Sequence, residues 1–149
     1  MLKLNEEQTR LKLIDPLLKE SGFHLDKVND REYKINGMPN DDGVGFVDYI
    51  LWGDDGLPLA VVEAKRTIRS PKEGKHQAKL YADCLEKEFS RRPVIYYSNG
   101  YEHWFWDDTN HPSRRIQGFH TKDQLELMIQ RRTERYSLAS VKINSKIVE

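Results

Sequence analysis

FVDYILWGDDGLPLAVVEAK, residues 46–65, decides how this chain is read. Two apolar runs rich in aromatic and β-branched residues flank a Gly53-Asp54-Asp55-Gly56 corner, which predicts two strands joined by a hairpin turn. Three charged residues break the pattern. Asp48 sits between Val47 and Tyr49, while Glu63 and Lys65 close the run Leu59-Ala60-Val61-Val62. Charges in such places are costly unless they are paired or bound to a metal ion. Side chains alternate along a strand, so Glu63 and Lys65 point to one face, about 6 to 7 Å apart along the backbone, and Ala64 points away. The hairpin can bring Asp48 beside them.

This arrangement has the parts of a metal-dependent phosphodiesterase. Two carboxylates on adjacent strands, Asp48 and Glu63, can hold Mg²⁺ while leaving waters on it, and the backbone carbonyl of Ala64 can add a ligand. Lys65 can then position the attacking water and offset charge growing on the phosphate. The plainer alternative is a salt bridge from Lys65 to Asp48 or Glu63 at the end of a sheet.

The charge distribution suits the first reading without deciding it. Lys plus Arg equals Asp plus Glu at 24 each, so net charge announces no polyanionic partner. Locally the two signs separate: Asn40 to Glu63 holds six acids and no base, and Lys65 to Lys79 holds six bases against Glu73 alone. Cations would fill the first stretch and phosphates meet the second, although two solvated loops of opposite charge would read the same way. The single cysteine, Cys84, forms no internal disulfide and falls on a helical apolar stretch, as expected of a buried, inert thiol. No segment approaches the roughly 18 apolar residues of a membrane span, and no signal-peptide pattern opens the chain. A cytoplasmic protein without membrane partners is expected.

Upstream of the hairpin, NEEQTRLKLIDPLLKE predicts a helix from Asn5 to Glu20, with Leu11, Leu13, Ile14, Leu17 and Leu18 on its apolar face. Asn5 and Gln8 have capping-box spacing, and Pro16 is expected to bend or split the helix. A strand is expected near Glu32 to Ile35, then a loop through Gly43. Downstream, Arg66 to Pro71 reads as a basic loop and Lys72 to Phe89 as a helix with Ala78, Tyr81, Ala82, Leu85 and Phe89 on one face. Gln77 and Tyr81 share one side of it, where Tyr81 is equally suited to being a core aromatic. Val94 to Ser98 and Tyr101 to Trp106 read as strands around Asn99-Gly100, with Trp104 and Trp106 as sheet residues. Another strand follows from Arg114 to Phe119, and Thr121 caps a last helix to Arg132. His111 and His120 have no partner at metal-ligand spacing.

Asp48 followed by Glu63-Ala64-Lys65 resembles the PD-(D/E)xK nuclease signature, with Val47 where proline commonly precedes the aspartate. Gln77 to Tyr81 resembles the Q-x-x-x-Y motif of its RecB-like branch. Five blocks in order, NEEQTRLKLIDPLL, VDYIL, PLAVVEAKR, GKHQAKLYAD and YYSNG, are similar to the amino-terminal domain of type I restriction enzyme R subunits. That resemblance implies an α/β fold with a restriction-endonuclease-like core, a central mixed sheet of about five to six strands flanked by helices. It implies a Mg²⁺-dependent DNA endonuclease domain over residues 1–135 and a tail, 136–149, leading toward a helicase motor through which alone ATP would enter. Methyltransferase and specificity subunits would be its partners. Asp48 and Glu63 would be metal ligands, joined by the Ala64 carbonyl and Glu6, and Lys65 the catalytic lysine. Gln77, Tyr81, Arg66 and Lys75 would contact DNA or support the site. A stand-alone nuclease of the same superfamily and a non-catalytic DNA-binding or docking module on this scaffold are the alternatives.

Overall fold

A computed structural model describes residues 3–132. The tail at 136–149 and the end of the expected domain at 135 lie outside the described residues. Six strands form a single sheet in sequence order: β1 (Arg31–Asn36), β2 (Val44–Trp52), β3 (Pro58–Ala64), β4 (Val94–Ser98), β5 (His103–Trp106) and β6 (Arg114–Ile116). β1 to β3 form one antiparallel meander and β4 to β6 another; β3 and β4 pair in parallel, from Ala60 opposite Val94 to Ala64 opposite Ser98. A parallel join needs a crossover, and the helix between β3 and β4 supplies it. This is the expected mixed sheet flanked by helices.

Strand alternation divides the core between the two faces. Ala60, Val62 and Ala64 of β3 join Ile14, Leu18, Tyr96, Leu125 and Ile129 on one side. Val61 joins Ala78, Tyr81, Ala82 and Leu85 on the other. Those four lie on the crossover helix, which begins with a 3-10 turn at Pro71–Gly74 and continues as α-helix Lys75–Phe89. Because Glu63 alternates with Val62, its side chain is delivered to the crossover-helix face at the sheet's end.

The amino-terminal helix is less regular than its sequence pattern. Helix α1 (Glu6–Thr9) starts with the predicted capping box, Asn5 Oδ1 accepting from the Gln8 N–H at 2.8 Å and Gln8 Oε1 from the Asn5 N–H at 3.2 Å. A π-helical segment, Arg10–Ile14, then precedes α2 (Asp15–Glu20), which carries Pro16 in its first turn. Proline has no N–H to give the preceding turn, and the wider turn lies directly before it. Leu11 is consequently 56% exposed and leaves the expected apolar face, while Thr9 and Ile14, five residues apart, are fully buried.

Helix α3 is the crossover helix Lys75–Phe89, and α4 occupies residues 122–132, capped as expected: Thr121 Oγ1 accepts from the Gln124 N–H at 3.1 Å. Two strand limits differ from the sequence pattern. β5 begins at His103 because Asn99 Oδ1 accepts from the N–H groups of both Tyr101 and Glu102, holding 99–102 as a turn. β6 ends at Ile116, short of Phe119. Cys84 is half-buried, with Sγ 3.8 Å from Met38 Sδ, and burial pushes its thiol pKa up. No helix among the described residues is long and apolar enough to cross a membrane.

Candidate active site at the end of the hairpin

The hairpin brings Asp48 and Glu63 together. Asp48 Oδ2 accepts from the Ala64 N–H at 2.7 Å, so its carboxylate is fixed across the strand pair beside Glu63. Glu63 is only 7% exposed, and its Oε2 is buried with no hydrogen-bond partner among the described residues. Burial, and then the neighbouring Asp48 charge, hold the Glu63 carboxyl well above the usual carboxylate range, with Lys65 pulling the other way. An acid in this state is costly in a fold that uses it only for packing.

Lys65 follows β3 directly, its N–H donating to the Ser98 carbonyl at 2.8 Å. Its ammonium pairs with Glu6 Oε1 at 3.9 Å, and among the described residues no salt bridge joins it to Asp48 or Glu63. The salt-bridge alternative therefore takes a different form, and Glu6 faces the site through Lys65. The local fold explains how Glu6 arrives there. Thr67 Oγ1 accepts from the Leu4 N–H at 2.8 Å and the Thr67 N–H donates to the Leu4 carbonyl at 3.2 Å, clamping the chain before α1 onto the loop after Lys65. Asn99 Nδ2 holds the same loop, donating to the Arg69 carbonyl at 2.9 Å.

Tyr81 is buried in the core as a packed aromatic, and its hydroxyl edge is turned to the site. The Gln77 amide and the Phe46 N–H face that hydroxyl, and Glu63 and Asp48 are close enough to raise its pKa together with burial, which is the largest cause. Lys75 stands apart from the carboxylates, donating to Ser113 Oγ at 3.1 Å over the Trp106 ring. Arg66 is exposed on the loop after Lys65.

Three further residues of the site, Arg10, Gly45 and Gly74, are not among the expected site residues. Arg10 donates to Asp48 Oδ1 at 3.0 Å and to Glu32 Oε1 at 3.3 Å, and its side chain is only 17% exposed. It starts the π-helical segment, and Glu32 has φ +47°, a left-handed conformation uncommon for a residue with a Cβ. The spacing of Glu6 and Arg10, four apart and so on one side of a helix, is the one sequence sign that both reach the same place. Gly45 and Gly74 permit close approach: a Cβ on Gly45 would stand 2.8 Å from the Tyr81 ring, and one on Gly74 3.0 Å from Glu63 Cγ and 3.5 Å from Lys65 Cε.

Among the described residues no group of three His, Cys, Asp or Glu side chains forms a closed metal cage. Mg²⁺ does not require one, since it is commonly held by one or two carboxylates and keeps several waters. The partnerless oxygen of Glu63 beside Asp48 fits such an ion.

A mixed six-stranded sheet with helices on both faces, and its likeness to a solved chain, place the protein in the restriction-endonuclease-like α/β class, with the carboxylate pair on β2 and β3 and Lys65 directly after. Residues 31–114 match the family described as the type I restriction enzyme R protein N terminus. A solved fragment assigned as an HsdR subunit of a type I restriction enzyme from Vibrio vulnificus YJ016 is similar in structure, with a TM-score of 0.66 and 30% sequence identity over 84% of this chain. This chain spans 25% of that one. Comparison with curated proteins finds no match. The family match covers more than half of the chain, which therefore belongs to the type I restriction enzyme R protein N-terminal family. The matched stretch includes Asp48, Glu63, Lys65, Gln77 and Tyr81; Glu6 and Arg10 precede it.

Proposed function

We propose that this chain is a Mg²⁺-dependent DNA endonuclease domain that hydrolyses phosphodiester bonds as part of a type I restriction R subunit. The observation that carries the reading is Glu63, two residues before Lys65, buried, repelled by Asp48 and partnerless at Oε2 among the described residues. Asp48, Glu63 and the Ala64 carbonyl would hold the ion, with Glu6 facing the same site. Mg²⁺ bound there would supply Lewis-acid polarisation of the phosphoryl oxygen and a lower pKa for the attacking water. Lys65 orients that water through its ammonium and offsets negative charge growing on the phosphate. Glu6 restrains Lys65, and Gln77 and Tyr81 keep the helix side of the site closed behind the carboxylates. Arg66 and Lys75 meet the DNA backbone.

The family assignment supports the wider setting: a cytoplasmic complex with methyltransferase and specificity subunits, and a motor region beyond residues 136–149 as the place where ATP acts. The domain itself would extend over residues 1–135. The test is nicking of supercoiled plasmid in Mg²⁺, together with calorimetric titration of the ion, for the wild type, Asp48→Ala and Lys65→Met. Nicking that disappears with EDTA and in both variants is expected. Undiminished nicking by Asp48→Ala, or a wild-type chain that neither binds Mg²⁺ nor nicks, would overturn the reading.

A further inference from the structure

The sheet continues past the carboxylate pair toward β5 and β6, and the face it presents there is unlike the rest of the surface. Trp104 and Trp106 pair with Tyr97 and Ile95, which belong to the crossover-helix core, so both indoles lie on that side of the sheet. Each carries a lysine over its ring: Lys72 Nζ is 4.4 Å from the Trp104 centroid and Lys75 Nζ 4.6 Å from that of Trp106. Trp104 is itself fixed, stacked on Tyr97 at an interplanar angle of 4° and donating from Nε1 to Glu102 at 2.8 Å. Arg115 stands opposite Trp104 on β6, pairs with Glu102 Oε1 at 3.5 Å and has its side chain 61% exposed, so that a phosphate would compete with Glu102 for it.

Most neighbouring bases are matched by acids, as in Arg69 with Glu73 and Lys79 with Asp83. Among the described residues, Lys72 and Lys75 make no ion pair. They flank Gly74, the residue pressed against Glu63 and Lys65. The two unmatched ammonium groups thus extend from the point where the helix touches the site to the rings of β5.

We infer that Lys72, Lys75 and Arg115, carried on Trp104 and Trp106, form a track for the DNA phosphate backbone leading from the carboxylate pair toward the β6 edge. The inference rests on the reading that this site acts on DNA, and it assigns the route of the strand. A ring beneath an ammonium attracts it and limits its rotamers, so less entropy is lost when a phosphate binds. Charge complementarity favours a polyanion, because among the described residues neither ammonium pairs with a carboxylate, Lys72 being exposed and Lys75 donating only to Ser113 Oγ. The rings do not serve as stacking platforms for bases: Lys72 covers Trp104, Lys75 covers Trp106, and Tyr97 lies against Trp104. Contacts along the track are therefore to phosphates and indifferent to sequence.

Binding of a fluorescein-labelled DNA duplex of mixed sequence, followed by anisotropy across a salt series in EDTA, tests the track without cleavage. Lys72→Gln and Lys75→Gln are each expected to weaken binding several-fold at low salt and to flatten the log K against log salt slope by about 0.9. Trp104→Leu should weaken binding while leaving the slope nearly unchanged, because the charge stays and its positioning goes. Lys34→Gln, on strand β1 at the opposite edge of the sheet, is the control and should change neither. The track is overturned if the wild type shows no binding at low salt, if the double lysine variant binds like wild type, or if Lys34→Gln matches its effect. The nuclease reading fails separately: a chain that never nicks in Mg²⁺ but binds through Lys72 and Lys75 keeps the track and loses the enzyme. One that nicks through Asp48 while ignoring both lysines does the reverse.

Discussion

Asp48 and Glu63 differ in what the fold gives them. Asp48 has the Ala64 N–H on one oxygen and the Arg10 guanidinium on the other, so its negative charge is supported from both sides. Glu63 has burial, a like charge beside it and one oxygen with no partner among the described residues. Replacing Glu63 by Gln removes the cost of ionising a buried carboxyl beside Asp48 while keeping the shape. In the absence of divalent ions Glu63→Gln is expected to be more stable than wild type at neutral pH by about 1 to 3 kcal/mol. With Mg²⁺ the order changes, because an ion that binds only the folded state adds about 2.7 kcal/mol at a hundredfold excess over Kd, and the variant should gain little of this. Thermal unfolding with EDTA or Mg²⁺ measures both effects. A wild type indifferent to Mg²⁺ together with a destabilised Glu63→Gln would make Glu63 an ordinary structural residue.

At the scale of elements, the site depends on how the amino-terminal helix is seated. The β4–β5 turn meets that helix at Gly100, where φ is +92° and an added Cβ would lie 2.5 Å from Leu13 Cδ1 and 3.1 Å from Thr9 Cγ2. Gly100 is therefore required both for its backbone conformation and for the close approach that keeps Glu6 and Arg10 at the sheet's end. Gly56, with φ +78° in the hairpin corner, has open space around it and provides the comparison. Gly56→Ala should cost about 1 kcal/mol in denaturant unfolding, from backbone conformation alone, and Gly100→Ala roughly 2 to 4 kcal/mol as clash is added. Equal costs at the two positions would mean that the helix is not held by this contact.

Across the whole molecule, two buried histidines on the far side of the sheet predict a loss of stability in acid. His103 Nδ1 shares a hydrogen bond of 2.7 Å with Ser98 Oγ, and His120 Nδ1 one of 2.7 Å with Tyr96 Oη. Burial lowers both imidazole pKa values, assisted by Arg115 at His103 and Arg114 at His120. Below the unfolded value of 6.5 the unfolded chain takes up these protons before the folded one does. Their contribution is therefore complete above that pH and is lost as pH falls through the lowered folded values. Denaturant midpoints should decline on acidification from about pH 6.5, and the decline should be shallower in a His103→Asn, His120→Gln double variant. An identical pH profile for the double variant would assign the acid response to other groups.

From residue patterns alone came the hairpin, the capped helices and the three charged residues that do not suit a core, whereas the parallel pairing of β3 with β4 emerged only in the fold. Those patterns reach so far because strand alternation, helical period and turn chemistry act over a few residues. The tertiary structure decided what those charges meet. Arg10 reaches Asp48 across 38 positions of chain, and Leu4 clamps Thr67 across 63. The π-helical turn moved Leu11 out to solvent against its periodic pattern. The hairpin places Glu63 beside Asp48 by local rules, but whether Lys65 turns to that pair or to Glu6 depends on a helix packed from elsewhere in the chain. No local rule carries that information, because ion pairing depends on distances that only the packed fold sets.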